Sequence, residues 1–134
     1  MFMRYLVLAV CLLSVTACDL FSSTSPSPVS TQFTLAPGQS QSVASTTLTF
    51  VGVPSDSRCP ANAICVTAGD ATVRVDLSRR GTTSSHELHA ASKQPVTVNE
   101  LTIELVEIAP YPFLPNPIDP AAYRVTLRVT RQDP

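Results

Sequence analysis

Glycine, histidine and charge are all scarce in this chain of 134 residues, and each scarcity removes a class of function. Four glycines leave no material for a phosphate-cradling loop, and neither G-x-x-x-x-G-K nor G-x-S-x-G occurs. The two histidines, His86 and His89, stand three apart in a strand-like run, so they face opposite sides and cannot share a metal ion. His86-Glu87-Leu88-His89 is also not the H-E-x-x-H zinc motif, and no metal and no cofactor is expected. Charged residues make up only 14% of the chain, with 9 Lys and Arg against 10 Asp and Glu. A net charge of −1 lacks the basic footprint of a nucleic-acid binder, so no nucleic-acid partner is expected.

Hydrophobic residues at 44% argue against disorder throughout, and 134 residues allow one domain. Twelve prolines favour extended segments and turns over long helices.

The N-terminus reads as an address. Met1 to Arg4 carries one positive charge, Tyr5 to Leu13 is apolar, and Ser14 to Ala17 is small. That is the order of a secretory signal peptide over residues 1–17, and the apolar run falls far short of the ~20 residues of a spanning helix. The ending Val15-Thr16-Ala17-Cys18 resembles the lipobox of bacterial lipoproteins. The resemblance implies that the Cys18 sulfur carries a diacylglyceryl group and that the mature chain starts there. Each buried acyl CH₂ contributes about 0.8 kcal/mol, and two chains or more give stable anchoring. Membrane contact through the lipid at Cys18 is therefore the expected location: a lipoprotein of the bacterial cell envelope, facing the periplasm or the outside. Asp19 resembles the inner-membrane retention signal of enterobacterial lipoproteins, which leans the anchor toward the inner membrane.

Residues 18–31 then read as the lipidated cysteine and a tether. Nine of the 13 residues from Asp19 to Thr31 are Ser, Thr or Pro, too polar to fold alone. Such a segment spans roughly 20 Å as a coil and roughly 40 Å as polyproline II. An irregular arm lying on the domain is the other reading.

Over residues 32–134 the period is two. Val73, Val75 and Leu77 alternate with Arg74 and Asp76, and Tyr123, Val125, Leu127 and Val129 alternate with Arg124, Thr126 and Arg128. Arg79-Arg80-Gly81-Thr82 reads as a hairpin connection, and Asn99-Glu100 separates Val96 and Val98 from Leu101, Ile103 and Leu105. After Leu105 the apolar parity flips to Val106 and Ile108, as a β-bulge would make it. Seven or eight short strands predict an all-β domain, a single antiparallel β-sandwich of immunoglobulin-like type, with a small β-barrel as the alternative.

Cys11 leaves with the signal peptide and Cys18 takes the lipid, so Cys59 and Cys65 have one pairing left. Five residues between them are not the C-x-x-C of a thiol oxidoreductase, and an exported protein makes a disulfide the default. So small a loop is worth about 2 kcal/mol and fixes loop shape more than it holds the fold.

The stretch Asp56-Ser57-Arg58-Cys59-Pro60, Cys65 and Ala68-Gly69 resembles a family of small bacterial secreted proteins and lipoproteins. Pro110-Tyr111-Pro112, Ile118 and Tyr123 are similar as well, so the resemblance covers roughly residues 32 to 131. Where the family often has a tryptophan two residues after the second cysteine, this chain has Thr67. The resemblance implies an exported domain and no particular activity.

Two loops hold the candidate partner-binding residues. In the cysteine loop, Asp56 caps the turn and Arg58 either pairs locally or is displayed with Asn62 to a partner. The stretch Pro110 to Pro120 has five prolines in eleven residues with Tyr111 and Phe113 among them, packed on the core or offered as a recognition surface. Arg74, Arg124 and Arg128 would form a basic strip if their strands were neighbours. Glu104 and Glu107 fall on opposite faces unless the bulge re-aims one.

No catalytic constellation emerges, so the expected function is a non-catalytic binding or assembly module with an envelope protein as partner. The alternatives are a small envelope hydrolase using carboxylates and a protease-inhibitor-like module presenting the disulfide loop.

Overall fold

The computed structural model describes residues 28–132. The segment expected as a signal peptide, Cys18, Asp19 and most of the segment read as a tether lie outside the described residues. Eight strands follow in order: β1 (Val29–Leu35), β2 (Ser40–Val43), β3 (Thr46–Asp56), β4 (Ala71–Arg79), β5 (Thr82–His89), β6 (Val96–Val98), β7 (Leu101–Ala109) and β8 (Arg124–Arg131). The single helical element among the described residues is a 3₁₀ turn at Pro120–Ala122, started by Asp119, whose Oδ1 accepts from Ala121 N–H at 2.9 Å.

The strands form two four-stranded antiparallel sheets, ordered β1-β8-β7-β6 and β2-β3-β4-β5, and neither closes into a barrel. Both layers of the expected sandwich are present. In one sheet β2 to β5 form an uninterrupted meander, and in the other β1 adds beside β8.

Period-two alternation builds the shared core. Phe50, Val73, Val75, Ile103, Val125 and Leu127 have no exposed surface, and Leu48, Leu88 and Val129 are nearly as covered. Fully burying such a side chain is worth about 1.5–3 kcal/mol, so these alternating positions dominate the stability of the domain. The turns have the required chemistry: Arg80 and Gly81 sit at φ +51° and +80°, the two left-handed positions of a two-residue hairpin. The parity flip is also real. Leu105 pairs with Leu127, the register shifts, and Glu107 pairs with Thr126, after which Ile108 is buried again.

Two expectations are corrected. Strand β1 begins at Val29, inside the segment read as tether; Val29, Ser30 and Thr31 pair with Arg131, Thr130 and Val129. Their side chains are exposed on an edge strand, so the ladder holds them by backbone and leaves no apolar pattern to read. The basic strip does not exist, because Arg74 is in one sheet and Arg124 and Arg128 in the other. Arg74 pairs with Glu87 at 2.8 Å, Arg128 with Glu104 at 3.3 Å, and Arg124 Nη1 donates to the carbonyls of Ala121 and Tyr123.

The pairings define two ends. Leu35 opposite Val125, Asp56 opposite Ala71 and Ala109 opposite Arg124 mark one, from which both long loops emerge. Val29 opposite Arg131 and Arg79 opposite Thr82 mark the other, where the chain enters.

Candidate functional site

The two long loops, 57–70 and 110–123, are bolted together at one end of the sandwich. Cys59 and Cys65 form the expected disulfide, with Cα atoms 5.9 Å apart. The neck of that loop is a small ladder: Ser57 N–H donates to the Asp70 carbonyl at 2.7 Å and Cys59 N–H to the Ala68 carbonyl at 2.9 Å. Gly69 is required there. Its φ is +70°, and a Cβ on it would overlap the Ser57 carbonyl.

Arg58 is the centre of the joint. Its Nε and Nη2 donate to the two carboxylate oxygens of Asp56 at 2.9 and 2.6 Å. Nη1 donates to the Ile108 carbonyl at 2.9 Å and Nη2 to the Pro110 carbonyl at 3.0 Å, fifty residues away in the chain. Its guanidinium carbon stands 5.1 Å from the Tyr111 ring centroid, a cation–π contact. Both partners of the ion pair have side chains 9% exposed. Asp56 Oδ2 also accepts from the Tyr123 hydroxyl at 2.9 Å. Of the two readings of Arg58, the structure carries the internal one: all three guanidinium nitrogens donate to groups of the protein itself.

The electrostatics follow from this knot. Burial pushes the Asp56 carboxyl up, and the hydrogen bonds from Arg58 and Tyr123 outweigh it, so the net pKa lies below the ordinary 3.8. The hydrogen bonds that Arg58 donates to Asp56 raise it above its ordinary value, against burial. Burial, with the Asp56 hydrogen bond second, pushes Tyr123 up to about 12.

Asn62 closes the other side of the joint. Its Nδ2 donates to the Leu114 carbonyl and its Oδ1 accepts from the Leu114 N–H, both at 2.9 Å. The amide side chain thereby replaces a strand partner for the proline-rich loop. Ala61 N–H adds a bond to the Pro112 carbonyl at 2.9 Å.

On this braced base stand the exposed apolar side chains. Tyr111 and Phe113 are each 57% exposed and Leu114 53%, while Ile64 and Val66, flanking Cys65, are wholly exposed. Tyr111 and Phe113 were candidates from sequence, and the structure displays both. Ile64, Val66 and Leu114 were not; their signal was two β-branched residues in a loop with no strand to bury them. Two clefts flank Arg58, one of about 440 Å³ beside β7 and one of about 430 Å³ under Phe113 and Pro115.

The remaining polar groups are dispersed. His86 Nε2 bonds with Ser84 Oγ at 2.9 Å, whereas His89 Nδ1 meets Asp70 Oδ2 at 2.8 Å. Register puts His86 opposite Val75 and His89 opposite Thr72, on opposite faces. The bulge brings Glu104 and Glu107 to one face, opposite Arg128 and Thr126. Among the described residues no group of three His, Cys, Asp or Glu is placed to hold a metal ion.

No protein-family model, no curated protein and no solved structure matches the chain.

Proposed function

We propose that this chain is a bacterial lipoprotein of the cell envelope, anchored through a lipid on Cys18, whose β-sandwich is a non-catalytic binding or assembly module for another envelope protein. One observation carries the binding part of the reading. The sequence spends a disulfide, a buried Arg58–Asp56 pair and the Asn62–Leu114 clamp on holding Ile64, Val66, Tyr111, Phe113 and Leu114 in solvent. Exposed apolar groups on a rigid base are the material of protein-binding surfaces. Support for the orientation comes from the strand register. Val29, where a tether would join, is at the end opposite the two loops, so a domain tethered at Cys18 presents its loop end away from the bilayer.

The lipobox, Val15-Thr16-Ala17-Cys18, supports the anchor. The inhibitor-like alternative loses its anchor residue, because Arg58 is committed inside the protein.

Two measurements test the reading. The wild-type chain stays with membranes through salt and carbonate washes, and Cys18→Ser releases it; retention of Cys18→Ser would end the lipid anchor. Crosslinking in cells followed by capture enriches one envelope protein over the Cys18→Ser control; capture of nothing would end the binding module.

A further inference from the structure

The cleft beside β7 has the geometry of a strand-sized gap. Gln132 N–H donates to the Glu100 carbonyl at 2.9 Å. Ladder alternation then aims the backbone groups of Thr102 and Glu104 at β8, and those of Leu101, Ile103 and Leu105 away from it. Leu101 and Ile103 meet Val98 and Val96 of β6. Leu105 meets no strand, because β6 is three residues long. Upstream of β6 the chain turns off: Lys93 has φ +50°, and Gln94 precedes a proline. Beyond the bulge, Ile108 turns its carbonyl to the open side, where Arg58 Nη1 donates to it.

The gap beside this edge is about 440 Å³. Leu105, Val106 and Ile108 form one wall, and the opposite wall is small: Ala68, Gly69, Ala90 and Ala91. Tyr111 closes the loop end. On the rim, Lys93 has no carboxylate partner among the described residues, and Glu107 has no basic one.

The geometry points to a peptide site: an extended segment of the partner protein adds to the open edge of β7 at Leu105–Ile108, its side chains entering the apolar gap. The Leu105 N–H and C=O and the Ile108 N–H face the open side, the Ile108 carbonyl being held by Arg58, and such an edge offers donors and acceptors to another extended backbone. Small residues opposite it leave width for that backbone. The stretch from Glu104 to Ala109 admits roughly four to six residues at a rise of about 3.4 Å each. Lys93 selects one acidic side chain in that segment, and Glu107 selects against a strongly acidic one. This site deepens the binding-module reading and rests on it.

A display library of random eight-residue peptides, panned on the full chain in mild detergent, supplies the probe. Binders are expected to be extended and apolar with one acid, and to shift the backbone amide signals of Leu105 and Ile108. Ala91→Trp, which fills the gap from an exposed position, lowers their affinity about tenfold or more with an unchanged thermal midpoint. Lys93→Glu, on the rim and outside the core, lowers it several-fold and serves if Ala91→Trp fails to fold. A library without binders overturns the site, as do peptides indifferent to both variants. Peptides that shift Ile64, Phe113 and Leu114 instead also overturn it, while leaving the loop end as the binding surface. Failure of the broader reading shows separately, as cellular crosslinking that captures nothing.

Discussion

The sheets and the loop end of this domain are stabilised by different physics. Between the sheets, apolar side chains alternate inward and are held by burial, which is non-directional. At the loop end a charged pair, an amide clamp, a disulfide and one obligatory glycine fix a shape. Burial makes the domain stable; directional bonds make one end of it specific. That division fits a molecule that displays apolar side chains there, because apolar groups left to themselves would collapse onto the core.

The comparison breaks most severely at its apolar pole. Phe50 is fully buried in β3, and Phe50→Ala is expected to cost about 4 kcal/mol in denaturant unfolding. A cost under about 1 kcal/mol would show that the core is not where the stability lies.

Arg58→Met tests the polar pole. It leaves the Asp56 carboxylate buried without its cation, at about 3 kcal/mol. The matched pair Asp56→Asn with Arg58→Met is expected to recover part of that loss, since no unpaired charge remains. Amide spectra should show the change at Ile108, Phe113, Leu114 and Tyr123, with β4 undisturbed.

Next in size is Gly69→Ala, at about 2 kcal/mol, because the left-handed φ and the Ser57 carbonyl both resist a Cβ. Gly52→Ala sharpens the contrast: nothing lies within 4 Å of its Cβ position and its backbone is not left-handed, so a small effect is expected.

The mildest probe is pH. Asp56 titrates below its ordinary 3.8 in the folded state, so its contribution is present above that pH and is lost as pH falls through the folded value. Tyr123 has the opposite sign. Its folded pKa of about 12 exceeds the ordinary 10.0, so its contribution is full below pH 10.0 and is lost as pH rises toward 12. Stability of the wild type should fall at both extremes. In Arg58→Met the acid-side loss should move to higher pH, as the carboxyl loses the partner that holds it down.

How much of this was legible depended on whether the cause was local. Val73, Val75 and Leu77 announce β4 because one strand face is a period-two pattern, and the flip from Leu105 to Ile108 announces the bulge for the same reason. The disulfide followed from counting. The fate of Arg58 did not: its acceptors at Ile108 and Pro110 lie fifty residues away, and nothing near residue 58 encodes their arrival. Asn62 and Leu114 are hidden in the same way. The start of β1 was missed because an exposed edge strand is held by backbone bonds, which every sequence offers equally.

The central claim is that the braced loop end is the surface another protein binds. A photo-activated crosslinking residue placed at Phe113, and in a parallel strain at exposed Thr83 in β5, tests it most directly. The account predicts one discrete crosslinked envelope protein from position 113 and none from position 83. Crosslinks of equal yield from both positions, or from position 83 alone, would contradict it.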